Sequence, residues 1–405
     1  MGTIRILETF SGIGAQNKAV TNINNKRNKK IFEIVATADW DARANISYSA
    51  IHHNLIKNWE IVLKENNLTT EKEIDNFLKK YNFSLNSKTL SRITSKDLVF
   101  KKYLAASVIL SNNAVDITKL NPNLIKDQNI DLITYSFPCQ GLSVASMGKA
   151  KGINDELSTS SLIWQIYRIL NNSSKKPKYL MMENVKNLLS KKFKPEYEKW
   201  KDVLDNMGYK TFTTIINGLD AGSIQKRERV FALSVLKNVK TPFNNDLEFS
   251  EYIKKINNGK KLKLHERETQ FNNIFDFYNH SEENIEALIN NTPSRIKLVN
   301  SQKIINKSNN FIINTLTTKQ DRIPCTGIIE FKNNNKNKLN YRFITPREAF
   351  MLMGFEREDF NKLLPFYEQK ILTKESLYRQ AGNSIVVEAI TSIFNVVESI
   401  EKMKD

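Results

Sequence analysis

Cys139 is the residue whose position in the sequence most favours covalent chemistry. It follows Pro138 at the end of an apolar, β-branched and aromatic run, residues 132–137, which is typical of a buried strand. In open α/β sheets, ligands and reactive groups collect at the carboxyl ends of the strands, and a cysteine thiolate is a nucleophile. The sequence therefore predicts attack by Cys139 on a molecule above a sheet, although an isolated cysteine is more often a small buried hydrophobe.

Cys325 is the other of the two cysteines in the chain and provides a comparison. It also follows a proline, but no apolar strand precedes it, so we interpret it as structural or incidental. Two cysteines exclude a disulfide framework and a cysteine-based zinc site. We expect no bound metal.

Glu183 also follows an apolar strand, residues 178–182, so a sheet could bring it beside Cys139. None of the four histidines lies in a strand-exit motif, which argues against a cysteine protease. A thiolate with a protonated carboxyl can instead add to an electron-poor ring while a ring nitrogen is protonated. Arg227 and Arg229, two residues apart on an extended segment, could hold a phosphate or a ring carbonyl.

The first predicted strand, residues 4–10, leads into a turn that contains Gly12 and Gly14. Such a turn lets the backbone approach a ligand at a helix N-terminus, but Asn17 replaces the third glycine of the usual dinucleotide spacing. The second predicted strand, residues 31–38, ends in Asp39 and Trp40. A carboxylate there can accept hydrogen bonds from ribose hydroxyls and an indole can stack on adenine, whereas a helix cap and core packing are the simpler alternatives.

The remaining pattern predicts an α/β fold with a mostly parallel sheet. A third strand exit is expected at residues 113–117, and a strand at 230–236 is expected to close the sheet. Residues 54–110 interrupt the alternation as a helical insert, either a DNA contact or a charged surface. An Asn- and Lys-rich stretch, 238–341, forms a second lobe with short strands at 311–316 and 328–331, or a partly flexible appendage. From residue 376 an apolar helix must return to the first domain.

The charge balance limits the partners. The 405 residues carry a formal net charge of +18, which favours a polyanion such as nucleic acid. An A/T-rich genome, which enriches lysine and asparagine, is the alternative explanation. No apolar signal core and no run of about 18 apolar residues occurs, so we expect neither export nor membrane spanning but a cytoplasmic protein.

Eight segments together resemble, in order and over nearly the whole chain, the DNA cytosine-5 methyltransferases of the bacterial, single-chain type. They are Phe10-Ser11-Gly12-Ile13-Gly14, Asp39-Trp40, Asp116-Ile117, Pro138-Cys139-Gln140, Glu183-Asn184-Val185, Gln225-Lys226-Arg227-Glu228-Arg229, Thr345-Pro346-Arg347-Glu348 and Gly382-Asn383-Ser384.

The resemblance implies a Rossmann-like fold, mostly parallel with helices on both faces, that binds S-adenosylmethionine. It implies a catalytic domain at 1–237, a smaller, irregular target-recognition domain at 238–341, and a return to the catalytic domain at 342–405. Methyl transfer to C5 of a flipped cytosine in double-stranded DNA is the implied reaction. Cys139 is the implied nucleophile toward C6 and Glu183 the acid at N3, while Arg229 holds O2 with Arg227 nearby.

The resemblance also implies the binding residues. The cofactor would contact Phe10, Gly12, Gly14, Asp39, Trp40, Asp116, Ile117, Pro138, Leu162, Asn383, Ser384 and Val386. DNA would contact Gln140, Ser143, Thr315 and Leu316.

Two departures and two alternatives accompany this interpretation. Residues 158–162 lack the arginine of the family's Thr/Ser-Arg pair, and Gln165 stands where an acid is usual, so loop closure or cofactor contacts can differ here. The insert at 54–110 lies outside the common core.

The alternatives are a tRNA cytosine-5 methyltransferase and a catalytically inactive nucleic-acid-binding relative. We expect a monomer, either an orphan methylase or one that accompanies a separately acting restriction endonuclease.

Overall fold

A computed structural model of the chain describes residues 2–142, 151–306 and 310–403. By internal packing, these residues form two compact units. The first contains Met1–Ile216, Glu228–Asn257 and Ile390–Asp405, and the second contains Asn217–Arg227 and Asn258–Ala389. These limits differ from those predicted at 237 and 341. Packing does not test which residues recognise DNA, so the assignment of target recognition to 238–341 stays a prediction.

The strands of the described residues are, in chain order, β1 (Ile4–Thr9), β2 (Phe32–Ala38), β3 (Leu132–Tyr135), β4 (Tyr179–Val185), β5 (Tyr209–Asn217), β6 (Gln225–Lys226), β7 (Glu228–Leu236), β8 (Leu288–Asn290), β9 (Ile313–Asn314), β10 (Ile329–Glu330) and β11 (Lys338–Arg342).

The α-helices are α1 (Ala15–Arg27), α2 (Ala42–His53), α3 (Leu55–Glu65), α4 (Glu71–Leu78), α5 (Leu98–Leu110), α6 (Leu124–Asp127), α7 (Trp164–Asn172), α8 (Lys194–Asn206), α9 (Gly218–Ala221), α10 (Asp246–Ile256), α11 (Leu264–Ile274), α12 (Glu282–Glu286), α13 (Pro293–Asn300), α14 (Pro346–Leu352), α15 (Arg357–Asn361), α16 (Leu364–Glu368), α17 (Lys374–Asn383) and α18 (Val387–Lys402).

The first unit is organised around a six-stranded sheet with the order β2-β1-β3-β4-β7-β5. The pairs β1–β2, β1–β3 and β3–β4 are parallel, and β4–β7 is antiparallel. This arrangement confirms the α/β fold class with a mostly parallel sheet. Helices α3, α4 and α5 form the insert between β2 and β3, which is helical as the sequence predicts.

Two details of the predicted sheet are wrong. The strand at 230–236 does not close the sheet, because β7 lies between β4 and β5. The residues of β7 from Val230 to Val235 are all buried, as expected of an interior strand, whereas β5 exposes Lys210 and Ile215. Residues 113–117 form no strand beyond one bridge to β2, because Val115 has a positive φ of 62° that breaks the extended conformation.

The C-terminal apolar segment forms two helices, α17 and α18, where the sequence predicts one. Residues from Ile390 onward belong to the first unit. The ring of Phe394 lies 5.2 Å from that of Phe32 on β2, and the Tyr179 hydroxyl on β4 donates to Glu401 at 2.6 Å. The end of the chain thus packs on the first unit from Ile390 onward, whereas residues 342–389, predicted to return with it, belong to the second unit. Among the described residues, one stretch, Lys374–Lys402, is long and apolar enough to cross a membrane, but it is mostly buried, as a core helix is.

The second unit contains two small sheets, β10-β11-β8 and β6-β9. The strands predicted at 311–316 and 328–331 exist in shortened form as β9 and β10. Arg342 at the end of β11 and Glu348 on α14 form a fully buried pair, with Nη1 2.8 Å from Oε2 and Nη2 2.8 Å from Oε1. Glu348 also accepts the backbone N–H of Thr345 at 2.7 Å and completes a capping box at the start of α14.

We expect Arg342→Met to destabilise the second unit strongly, because it leaves the Glu348 carboxylate buried without its counter-ion. Loss of one partner of a buried ion pair costs about 3–5 kcal/mol. The matched control is Arg322→Met, since Arg322 pairs with Glu375 on the surface and should cost less than about 1 kcal/mol. Urea unfolding followed by circular dichroism measures both. Equal losses of unfolding free energy in the two variants would contradict the stabilising role given to the buried Arg342–Glu348 pair.

Strand β1 carries a buried carboxyl. Glu8 is fully buried, and its Oε2 accepts a hydrogen bond from the Tyr48 hydroxyl on α2 at 2.9 Å. Burial raises the pKa of Glu8 to about 8, although the Tyr48 hydroxyl and the backbone N–H groups of Asn17 and Gln16 on α1 act to lower it. The protonated carboxyl is therefore the form that this site favours.

The raised pKa makes the stability of the first unit depend on pH. The folded chain retains a proton on Glu8 that the unfolded chain releases near pH 4.5, so stability falls as pH rises from there toward 8. We expect Glu8→Gln to remove this loss and to be more stable than the wild type at pH 8 by roughly 4 kcal/mol. All four tryptophans lie in the first unit, so their fluorescence in urea reports the transition.

The matched control is Glu60→Gln, at an exposed position on α3. It should follow the wild-type curve at every pH. A Glu8→Gln variant that loses stability between pH 5 and pH 8 as steeply as the wild type would refute the role given to Glu8.

Candidate active site

The turn that carries Cys139 is fixed by hydrogen bonds to its main chain. It follows β3, and the Asn184 side chain on β4 donates to the carbonyl oxygen of Phe137 at 3.0 Å. The Ser160 hydroxyl donates to the carbonyl oxygen of Pro138 at 2.6 Å. Cys139 itself is partly exposed. Two neighbouring segments thus hold the residues before the thiol in place.

Ser160 belongs to the serine-rich segment that lacks the arginine of the family pattern. Besides donating to Pro138, its hydroxyl accepts the backbone N–H of Gly141 at 3.1 Å. This segment therefore supports the turn through main-chain contacts that need no arginine. Gln140 is exposed next to Cys139. Ser143, also predicted to contact DNA, lies outside the described residues.

Glu183 and Arg229 form an ion pair on neighbouring strands. Nε of Arg229 lies 3.2 Å from Oε1 of Glu183, and both side chains are largely buried. The antiparallel register of β4 and β7 pairs Val185 with Arg229, which brings the two charges to the same end of the sheet. The parallel register of β3 and β4 pairs Tyr135 with Met182, so Glu183 comes directly after the last residue of β4 that pairs with β3. Its strand end is thus adjacent to the one that leads to Cys139.

Arg227 lies in the second unit and binds main-chain oxygens. Its Nη1 donates to the carbonyl of Leu316 at 2.8 Å, and its Nη2 donates to the carbonyls of Gly382 and Ser384, each at 2.9 Å. The side chain is buried. Sequence spacing places Arg227 and Arg229 together, but the contacts of Arg227 are those of a structural residue.

The Thr315-Leu316 pair contacts the same segment. The Thr315 hydroxyl donates to the carbonyl of Lys226 at 2.7 Å, and the backbone N–H of Leu316 donates to Oε1 of Gln225 at 3.1 Å. The Leu316 side chain is buried. In the second unit these residues therefore attach β9 to β6.

The Gly382-Asn383-Ser384 segment is constrained at its glycine. A Cβ atom on Gly382 would lie 2.5 Å from the backbone nitrogen of Thr318, so the close approach of two backbones excludes any larger residue. Asn383 is exposed at the end of α17, and Val386 is buried. These predicted cofactor residues lie in the second unit, whereas Phe10, Asp39 and the others lie in the first.

The glycine turn after β1 adopts a left-handed conformation at three positions. Phe10, Gly12 and Gly14 have φ values of 55°, 54° and 78°. A Cβ atom on Gly12 would meet nothing within 4 Å, so the backbone there faces open space. Gly14 is instead packed tightly, since its Cβ would lie 2.7 Å from Cε2 of Tyr48. The turn therefore has one open side and one packed side.

Asp39 connects this turn to α2. Its Oδ2 accepts the backbone N–H of Gly12 at 2.8 Å, and its Oδ1 accepts that of Asp41 at 2.8 Å. Burial, with a smaller contribution from the negative charge of Asp41, raises the pKa of Asp39 to about 6. The neighbouring Trp40 is partly exposed. An open turn, a carboxylate and a partly exposed indole fit an adenosine group.

Asp116 and Ile117 are held by residues that the sequence analysis missed. Oδ2 of Asp116 accepts from the Asn82 side chain at 2.8 Å, and Oδ1 accepts the backbone N–H of Thr118 at 2.9 Å. Arg168 on α7 donates to the carbonyl of Ile117 at 2.8 Å. No local pattern marks Asn82 or Arg168, because their partners are distant in sequence. Glu8, in contrast, was detectable as an acid inside an apolar strand.

Leu162 is partly buried against the core of the first unit. Nε of Arg168 also donates to the side chain of Gln165 at 2.7 Å. Gln165, at the position where the family pattern has an acid, is thus a hydrogen-bond acceptor for Arg168. Within the part of the chain that the structure describes, no group of three His, Cys, Asp or Glu residues is suited to a metal ion.

Comparison with known proteins identifies the family. The family model of the C-5 cytosine-specific DNA methylases matches residues 95–399. The type II methyltransferase M2.ScrFI of Lactococcus lactis subsp. cremoris is 32% identical over 96% of this chain and 98% of its own length. The orphan methyltransferase M.SssI of Spiroplasma monobiae is 31% identical, and the match covers 97% of each chain.

A solved structure supports the fold. The crystal structure of the S. pombe Dnmt2 methyltransferase aligns with a TM-score of 0.62 at 18% identity and covers 98% of this chain and 99% of that one. Together with the family match and the two full-length relatives, which imply the use of S-adenosylmethionine and a DNA substrate, these findings show that the chain belongs to the C-5 cytosine-specific DNA methylases and is a DNA cytosine-5 methyltransferase.

Proposed function

We propose that the chain methylates C5 of a cytosine that has been flipped out of double-stranded DNA, with Cys139 as the covalent nucleophile. The observation that carries this proposal is the Glu183–Arg229 pair, which lies at the end of a strand adjacent to the fixed Cys139 turn. A nucleophile, an acid and a cation at one end of a sheet suit addition to a polar aromatic ring. Flipping is required because the ring is inaccessible inside the base stack.

In the addition step, Sγ of the ionised Cys139 bonds to C6 of the cytosine. The electron pair of the C5–C6 double bond forms a C4–C5 double bond, the pair of the N3–C4 double bond moves to N3, and N3 takes the proton of the protonated Glu183 carboxyl. When bound, S-adenosylmethionine supplies the electrophilic methyl group for C5. Loss of the C5 proton to a base, breakage of the Sγ–C6 bond and return of the N3 proton to Glu183 restore the ring and the thiolate.

Arg229 is the arginine that we assign to the cytosine O2, because it already contacts Glu183. Arg227 instead donates through Nη1 and Nη2 to three main-chain carbonyls of the second unit. We therefore propose a positioning role for Arg227 and a direct role for Arg229.

For the cofactor, we propose that Asp39 binds the ribose hydroxyls and Trp40 stacks on the adenine. Phe10, Gly12 and Gly14 would lie along the methionine part, and Asp116 and Ile117 would meet the adenine edge. The remaining proposed cofactor residues are Pro138, Leu162, Asn383, Ser384 and Val386.

For DNA, we propose recognition by residues 238–341, closure of the site by Gln140 and Ser143, and attraction of the duplex by the net charge of +18. Because Leu316 is buried and Thr315 binds the main chain, this pair would support the recognition surface. By analogy with the relatives, named as type II and orphan methyltransferases, we propose a cytoplasmic monomer that serves a restriction-modification system or acts alone.

The nucleophile can be tested without knowledge of the target sequence. Duplex DNA in which 5-fluorocytosine replaces every cytosine should trap the enzyme, because fluorine at C5 cannot leave as the proton does. With S-adenosylmethionine, the wild type should form an adduct that survives denaturing gel electrophoresis. We expect no adduct with Cys139→Ser. The matched control is Cys325→Ser, at an exposed cysteine, which should form as much adduct as the wild type.

Adduct formation by Cys139→Ser at the wild-type level would overturn the choice of nucleophile. Parallel incubations of the wild type with tritiated cofactor and either duplex DNA or tRNA address the substrate. Label transferred to tRNA and not to duplex DNA would contradict the proposed substrate.

Glu183→Gln should slow adduct formation by at least about 100-fold, the lower end of typical general-acid contributions, because an amide cannot deliver the proton to N3. Binding of S-adenosylhomocysteine should stay unchanged. The matched control is Glu228→Gln, which removes a partly exposed ion pair with Lys186 and should change the rate by less than about twofold. Equal rates for Glu183→Gln and the wild type would exclude Glu183 as the acid.

A further inference from the structure

The helical insert carries a loop, residues 81–91, that packs against the proposed adenosine site. We propose that this loop, which we name the insert loop, forms a wall of that site and that Asn82 is a positioning residue for Asp116. The inference rests on the proposed function, since it takes Asp39, Trp40 and Asp116 as the adenosine-binding residues. It gives the insert a role in cofactor recognition, where the sequence left a choice between a DNA contact and a charged surface.

The insert loop is joined to the Trp40–Asp41 segment through its main chain. The backbone N–H of Ser84 donates to the carbonyl of Trp40 at 2.8 Å, and the N–H of Ala42 donates to the carbonyl of Ser84 at 2.8 Å. These two bonds form a parallel bridge between Asp41 and Ser84. Ser84 is fully buried. The insert loop is therefore bonded through its backbone to the segment that carries Trp40, whose indole we assign to the adenine.

A side-chain contact connects the insert loop to Asp116, which we assign to the adenine edge. Nδ2 of Asn82 donates to Oδ2 of Asp116 at 2.8 Å, while Oδ1 of Asp116 accepts from the backbone and hydroxyl of Thr118 at 2.9 and 2.7 Å. One oxygen is thus oriented by the local turn and the other by the insert. Without Asn82, the second oxygen would lose the donor that fixes its direction.

The insert loop is also braced, so it can hold these contacts in position. Phe83 is buried, and its carbonyl accepts the backbone N–H of Ser91 at 2.8 Å across the loop. The side chain of Arg43 on α2 donates to the carbonyl of Leu85 at 3.2 Å. The Ser87 hydroxyl donates to the side chain of Asp41. These contacts join the loop to α2 and to its N-cap residue, Asp41.

The hydrogen-bonding character of Asp116 predicts which ligands the proposed adenosine site would distinguish. A carboxylate held by donors is an acceptor, so it favours a ligand with an exocyclic amino group over one with a carbonyl at the same place. Asn82 would act through Asp116 by keeping this acceptor aimed. Its loss should therefore reduce both the affinity for an adenosyl ligand and the preference for adenosyl over inosyl.

Calorimetric titration of the full chain without DNA tests this inference. The probes are S-adenosylhomocysteine and S-inosylhomocysteine, which differ in the exocyclic group. We expect Asn82→Ala to weaken S-adenosylhomocysteine by about 3- to 10-fold, the value of one hydrogen bond, and to weaken S-inosylhomocysteine less. The matched control is Asn66→Ala, an exposed asparagine of the same insert that bonds to Val62, which should bind both ligands as the wild type does.

The Asp116→Ala and Asn82→Ala/Asp116→Ala variants separate positioning from a general loss of structure. If Asn82 acts through Asp116, the double variant should bind no more weakly than Asp116→Ala alone. Additive losses, or an Asn82→Ala affinity equal to that of the wild type, would overturn the inference. Failure of the wild type to bind S-adenosylhomocysteine would overturn the cofactor assignment itself, whereas the 5-fluorocytosine adduct tests the reaction independently of the insert.

Discussion

The register of three neighbouring strands is the constraint on which the candidate site depends. Parallel pairing of β3 with β4 brings two strand ends to the same side of the sheet, one leading to Cys139 and the other carrying Glu183. Antiparallel pairing of β4 with β7 then brings Arg229 to that side from the start of a strand instead of its end. A shift of one residue in either pair would turn Glu183 or Arg229 to the opposite face. The hydrophobic burial that sets the register of these strands therefore also sets the positions of Cys139, Glu183 and Arg229.

Much of this arrangement could be predicted from the sequence, because its signals are local. An apolar run followed by a polar residue marks a strand end wherever the sheet is parallel, and this rule located Cys139, Asp39 and Glu183. The rule failed at residues 113–117, where the positive φ of Val115 gives a turn instead of a strand. It also could not order the strands, since β7 and β5 are both plausible edges until their exposed residues are compared.

The roles of the two arginines illustrate a different limit. Arg227 and Arg229 look equivalent in sequence, being two residues apart on an extended segment. Their side chains nevertheless have different partners, main-chain carbonyls for Arg227 and a carboxylate for Arg229. Nothing in the spacing predicts this, because the partners of Arg227 come from residues 316–384, far along the chain. The same holds for Asn82 and Arg168, which act on Asp116 and Ile117 from distant segments.

Two carboxyls near the glycine turn, the buried Glu8 and the partly exposed Asp39, relate stability to binding. Burial raises the pKa of both Glu8 and Asp39, to about 8 and about 6, which means that the fold supplies them with too few donors and positive charges to offset their desolvation. A fold selected for stability alone would replace such groups with apolar ones. A ligand that brings hydroxyl donors to Asp39, or a positive charge near the turn, would stabilise the charged forms. Because such a ligand binds only the folded chain, part of its binding free energy would appear as added stability. The cost of Asp39 in the free protein and its use in the proposed cofactor site thus have the same physical origin.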